Sequence, residues 1–250
     1  MARWRQQDEL WLLEPTAPPR ALVEFIGGSY LASNPQLSYR RLLEALAQRG
    51  WRVHAWSYVP GFDHQAQANA AWRRFRRQRQ ILAEMDALPP GAPLRLGHSL
   101  GCKLQLLAPD GGRSSRGLVS LSFNNFSAER SIPLLAELGQ QLRFRSEFSP
   151  SPEETLRQVA ASYRQPHNLL VRFSRDTIDQ SSRLLGVLQA RPEDASSLEE
   201  LPGDHLSPAS GGLRRQLLGE WADDPSRQRA IERIADLTDR WSRLQARPQR

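Results

Sequence analysis

The chain has 250 residues, room for one α/β domain with a sizeable core, and its 39% hydrophobic and 24% charged residues exclude a disordered or fibrous class. The formal charge is +7, and of the 34 basic residues 33 are arginine and one, Lys103, is lysine. Such a balance speaks to solubility and nonspecific partners, not to fold.

No apolar run reaches the roughly 18 residues of a membrane span, and the opening "MARWRQQDELWLLEP" lacks a signal-peptide core. Cys102 is the single cysteine, which excludes an internal disulfide and leaves nothing like a zinc ligand set. A cytoplasmic, reducing location is expected, with no metal and no cofactor.

In chain order, "ALVEFIGG" (residues 21–28) predicts a strand ending in two glycines. "QLSYRRLLEALAQRG" (36–50) predicts a helix, with Tyr39, Leu42, Leu43 and Leu46 at helical spacing and Gly50 as its stop. "WRVHAWSY" alternates as a strand does. Residues 65–88 predict a second helix, halted at Pro89, Pro90 and Gly91. "APLRLG" reads as a strand, "LGCKLQLLA" as a helix and "GLVSLSF" (117–123) as a strand. Alternating elements of this length imply a parallel sheet with helices on both faces.

The alternation lapses between Asn124 and Pro166. An apolar helix around Leu134 to Leu142 and a capped one at "SPEETLRQVAASY" suggest a small helical cap inserted into a single domain spanning residues 1–250. "NLLVRF" (168–173) restores the strand, "DQSSRLLGVLQA" gives a helix, and "ASSLEELPGDHLSP" a short strand that ends in a loop. Residues 212–244 read as helical and rich in arginine.

"LRLGHSLGCKL" carries the chemistry. Gly97, Ser99 and Gly101 match G-x-S-x-G between a predicted strand and a predicted helix, the setting in which a sharp turn lifts a serine hydroxyl to the sheet's end. The backbone N–H of Leu100, at a helix N-terminus, could then donate to an oxyanion. A serine needs a base oriented by an acid. His205, in the loop after the last short strand, is the candidate base. Asp176, just past the end of a strand, is the preferred acid. Asp179 is the alternative, although an aspartate there could simply cap the next helix. Asp204 is adjacent to His205, and neighbouring side chains diverge.

Gly28, in the "FIGG" turn, is the candidate second oxyanion donor, because glycine lets backbone approach a ligand closely. Ser29, His64 and His98 are candidate substrate contacts, with His98 also placed to pack beneath the serine turn, and His54 and His167 read as structural. "WRRFRRQRQ" sets five arginines between Arg73 and Arg79. Arg73, Arg74, Arg76 and Arg77 could meet nucleic acid or an anionic membrane surface, but a solvated helix face is the preferred reading.

Together, "FIGGSYLASNPQLSYRRLLEALAQRGW", "FDH", "GHSLGCKLQ", "FNNF" with "SIP", "DTIDQS" and "LPGDHLSP" resemble a cyanobacterial and plastid family, domain of unknown function 1350, within the α/β-hydrolase superfamily. The resemblance covers about residues 21–208 and implies the α/β-hydrolase fold and a cyanobacterial-type cytoplasm, but brings no substrate. Carried over from the superfamily, the nucleophile falls on Ser99, the acid on Asp176 and the base on His205. The "FIGG" turn departs from the His-Gly pair of many hydrolases, which puts the role of Gly28 in question. Two functions stay open: a serine hydrolase acting on an ester, thioester or similar acyl bond of a small molecule, or a noncatalytic binding or scaffold protein on the same fold.

Overall fold

A computed structural model of the chain describes residues 3–29, 31–127, 147–209 and 225–245. Its strands are β1 (Arg3–Gln7), β2 (Leu10–Glu14), β3 (Ala21–Ile26), β4 (Trp51–Trp56), β5 (Leu94–His98), β6 (Gly117–Leu121), β7 (Asn168–Phe173) and β8 (Ser197–Leu201). Its helices are α1 (Pro35–Ser38), α2 (Arg40–Gln48), α3 (His64–Glu84), α4 (Leu100–Leu106), α5 (Pro152–Ser162), α6 (Ser181–Gln189) and α7 (Pro225–Gln245). The strands form one sheet in the order β1-β2-β4-β3-β5-β6-β7-β8. From β4 to β8 every pairing is parallel, whereas β1–β2 and β2–β4 are antiparallel.

The central parallel strands β3 to β7 are buried almost throughout because both their faces are covered, whereas the edge strand β8 is not. On one face α2 and α7 pack Leu42, Leu43, Leu46, Ile231 and Ile234 against Val23, Phe25 and Val53. On the other, α3 and α4 bring Phe75 and Leu104 onto Leu12 and Ile26, and α5 and α6 bring Val159 and Leu184 onto Leu118 and Leu170. All six residues of β4 are buried, so its alternation marks two covered faces and not one wet one.

The opening departs from the expected strand, helix, strand rhythm, since an antiparallel hairpin of β1 and β2 precedes it. β2 buries Leu10, Leu12 and Leu13 and pairs with β4. The helix expected over residues 36–50 is divided at Tyr39 (φ −122°), whose ring points into the core. Within the insertion, α5 forms with the expected capping box, Ser151 and Glu154 exchanging side-chain and backbone bonds. The helix expected at Leu134–Leu142 and residues 212–224 lie outside the described residues.

The chain reverses its direction of winding between β3 and β5, which are neighbours although β4 lies between them in sequence. Ligand crevices in open parallel sheets form at such a switch point, outside the carboxyl ends of the strands. Register aligns those ends: Ile26 pairs with Gly97, and His98 with Leu121. The loops leaving β3, β5, β7 and β8 therefore open on one edge.

Candidate active site

Ser99 occupies the turn between β5 and α4 at φ 54°, ψ −121°, a conformation that a side-chain-bearing residue adopts only when its surroundings impose it. The flanking glycines show what imposes it. A Cβ on Gly97 would lie 2.7 Å from the backbone of Cys102, and one on Gly101 would lie 2.0 Å from the Ile26 carbonyl. Glycine at 97 lets α4 turn back this tightly on β5, and glycine at 101 lets it start this close to the end of β3.

Three sequence-separated side chains converge there. The Nε2 of His205 lies 3.0 Å from Ser99 Oγ, and its Nδ1 lies 2.8 Å from Asp176 Oδ2. A carboxylate at Nδ1 takes the N–H from that nitrogen, so Nε2 is the atom left to accept the serine proton. The Asp176 side chain is fully shielded and its Oδ1 accepts from the Ile178 N–H at 3.0 Å, while His205 keeps 20% of its side chain exposed.

Asp179 is not part of this cluster. It accepts from the N–H and the hydroxyl of Ser181 at 2.9 and 2.8 Å, at the start of α6. Burial raises its carboxyl above the usual range, and those two bonds pull it back. Asp204 is likewise spent on its own turn, accepting from the Leu206 N–H at 3.0 Å.

The Gly28 N–H is not free for an oxyanion, contrary to expectation: it donates to the Tyr39 hydroxyl at 2.8 Å. The expected close approach of that loop is present, since a Cβ on Gly28 would sit 3.0 Å from Ser99 Cβ. The Tyr39 oxygen also lies 2.8 Å from His98 Nδ1, and His98 Nε2 lies 2.8 Å from the carbonyl of His205. Donor and acceptor roles are fixed by elimination. Burial holds His98 neutral, down to about 3, and a carbonyl can only accept, so Nε2 carries the proton, Nδ1 accepts, and the Tyr39 O–H donates to it. One chain of bonds thus ties the β3 loop, the serine turn and the histidine loop together.

His98 borders the cavity with both ring nitrogens committed and 1% exposure, so it offers a substrate no polar contact. Ser29 and His64 line the same cavity, which measures about 640 Å³. Tyr39, Lys103 and Phe148 belong to the surroundings of Ser99 without having been singled out from the sequence; Lys103 could have been, being one helical turn past Ser99.

The arginine run lies on α3. Arg74 pairs with Glu9 at 2.7 Å, Arg79 with Glu24, and Arg76 stacks over Trp72 at 5.3 Å, while Arg73, Arg76 and Arg77 are exposed. Among the described residues no group of three His, Cys, Asp or Glu could hold a metal, and no helix is long and apolar enough to cross a membrane.

A mostly parallel eight-stranded sheet with a serine turn at the end of β5 defines the α/β-hydrolase fold. The chain belongs to the family described as a protein of unknown function, DUF1350, whose sequence profile matches residues 3–224. Solved structures share the fold at low identity. A sugar hydrolase (YeeB) from Lactococcus lactis is 13% identical with a TM-score of 0.67, covering 98% of both chains. Carboxyl esterase 2 from the mycorrhizal fungus Tuber melanosporum is 18% identical with a TM-score of 0.64, covering 96% of this chain and 86% of its own. A monoacylglycerol lipase from Paleococcus ferrophilus is 17% identical with a TM-score of 0.59, covering 95% and 100%. No curated protein matches the sequence.

Proposed function

We propose that the protein is a serine hydrolase that cleaves an ester, thioester or similar acyl bond of a small molecule, its chain forming one domain with a helical insertion at about residues 124–166. The observation that carries this is the hydrogen-bonded series from Ser99 Oγ through His205 to Asp176, at 3.0 and 2.8 Å, on a turn held at positive φ. Ser99 attacks the acyl carbon as His205 Nε2 takes its proton. Asp176 holds the productive tautomer and stabilises the imidazolium, and His205 then returns the proton to the leaving group. Water deacylates the enzyme by the same path.

The negative charge that develops on the acyl oxygen needs donors in place beforehand. The Leu100 N–H, at the first position of α4, is one. With the Gly28 N–H given to Tyr39, the second role passes to the N–H of Ser29, which has no acceptor among the described residues.

Labelling with a fluorophosphonate probe tests the reading. The wild-type protein should be modified at Ser99, and Ser99→Ala should not be. Absence of labelling in a folded wild-type protein would favour the noncatalytic binding protein instead.

A further inference from the structure

The cavity in front of Ser99 contains a second polar cluster that acyl transfer does not use. Lys103 lies one turn beyond Ser99 on α4 and is 1% exposed. Its ammonium carries three donors. One is given to the Pro150 carbonyl at 3.0 Å, and no carboxylate among the described residues makes an ion pair with it. Glu147, Glu153 and Glu154 act on it only through space, from exposed positions.

The Phe148 ring centre is 5.9 Å from this ammonium, and the same ring stacks on His64 at 4.2 Å. His64 is 2% exposed, and its Nδ1 has no hydrogen-bond partner among the described residues. Lys103, Phe148 and His64 all border the cavity that Ser99 borders.

A buried ammonium with no carboxylate in contact among the described residues is costly, and a buried imidazole nitrogen without a partner there adds to that cost. Burial pushes Lys103 down to about 8, and burial with the neighbouring Lys103 charge pushes His64 down to about 3. At neutral pH the pair is therefore one cation and one neutral imidazole. Lys103 is also the one lysine in a chain that otherwise uses arginine 33 times. A compact ammonium fits a narrow wall where a planar guanidinium fork does not.

We propose that Lys103 and His64 form the subsite for a carboxylate on the substrate, so that the preferred acyl substrate is a monoester of a dicarboxylic acid or a similarly anionic ester. The ester in this statement rests on the hydrolase reading, whereas the carboxylate rests on the cluster alone. A carboxylate entering the cavity accepts from the two ammonium donors and the His64 ring nitrogen that have no partner among the described residues, supplying a contacting charge and a bond that those residues do not. Charge-assisted bonds of this kind are among the stronger ones available in a protein interior.

The two ideas separate experimentally. Binding is measured on the Ser99→Ala protein, in which no bond can break, by ligand-observed NMR with monoethyl esters of the series from succinate to suberate and with the corresponding diethyl esters. The half-esters should bind at least about tenfold more tightly than the neutral diesters, at a chain length that spans Ser99 to Lys103. That preference should vanish when Lys103→Met, which keeps the stem's volume, is added. Equal binding of half-ester and diester, binding of neither, or a preference that survives Lys103→Met overturns the subsite. Should the double variant fail to fold by circular dichroism, the comparison in Ser99→Ala alone decides, since equal binding there is sufficient to reject it. Fluorophosphonate labelling of the wild type reports on the hydrolase reading independently of either result.

Discussion

Two polar regions meet at Ser99, and they are built on opposite terms. On the side of the β3 and β8 loops, Tyr39, His98, His205 and Asp176 satisfy one another atom by atom at 2.8 Å. On the side of α3 and α4, Lys103 keeps two donors and His64 a ring nitrogen without a described partner. A closed network holds its members in one arrangement and excludes competing partners, whereas groups left open in a buried wall are available to a ligand. In the proposed reading the first region makes a bond break at a fixed geometry and the second chooses which molecule arrives.

The largest test of that contrast strikes the closed side at Asp176, its proposed acid. Asp176→Asn preserves shape and the bond from Ile178, but an amide cannot both accept from Nδ1 and stabilise an imidazolium. Turnover of any acyl substrate should fall by about 10⁴, as in the well-studied triad case, with the folded structure intact. Steady-state kinetics with a chromogenic ester measures it. A loss of less than about tenfold would mean that the closed network is structural and that the acid acts elsewhere.

A smaller effect is expected one step further back along the same chain of bonds. Tyr39→Phe deletes the hydroxyl between Gly28 and His98 and leaves a buried N–H and a buried ring nitrogen without partners. Stability to urea should drop by about 1–3 kcal/mol. Because His98 Nε2 holds the carbonyl of His205 itself, kcat should also fall, by about tenfold, with KM nearly unchanged. The expected role of Tyr39 is to position and not to react, so a variant that loses stability with kcat intact would disconnect the network from the chemistry.

Much of the closed side was legible in the sequence, and the reason is steric. G-x-S-x-G at a strand-to-helix junction admits few backbones, so Gly97 and Gly101 announce the turn, and the order of serine, acid and histidine then selects Asp176 and His205 from their loop positions. The role of Gly28 was not legible. Whether its N–H faces an incoming oxyanion or the Tyr39 hydroxyl depends on a helix break at Tyr39 that no propensity marks, because the local pattern over residues 36–50 is that of one continuous helix. The β1–β2 hairpin was hidden for a related reason. Its turn uses Asp8, at φ 50°, followed by Glu9, in place of the glycine pair that flags a tight hairpin. On the open side His64 was legible as a candidate substrate contact and lines the cavity, whereas Lys103 left only a spacing, four residues after Ser99, and its sharing a wall with a residue of a different helix left no local pattern.

The smallest effect belongs to the aspartate that sequence reasoning kept as the alternative acid, and it separates the closed network from its immediate surroundings. Asp179 lies three residues from Asp176, yet its oxygens are engaged by Ser181 at the start of α6. Burial raises its carboxyl, so the folded state holds the charged form at a cost that a neutral amide does not carry. The Oδ1 of an asparagine still accepts from the Ser181 N–H, and asparagine serves the start of a helix about as well as aspartate. Loss of the hydroxyl bond and relief of the buried charge act in opposite directions. Asp179→Asn should therefore leave kcat within about twofold and the urea stability within about 0.5 kcal/mol of the wild type. If kcat instead fell as far as in Asp176→Asn, the acid role would move to Asp179, and the closed network would have to reach His205 by a rearrangement of the loop between β7 and α6.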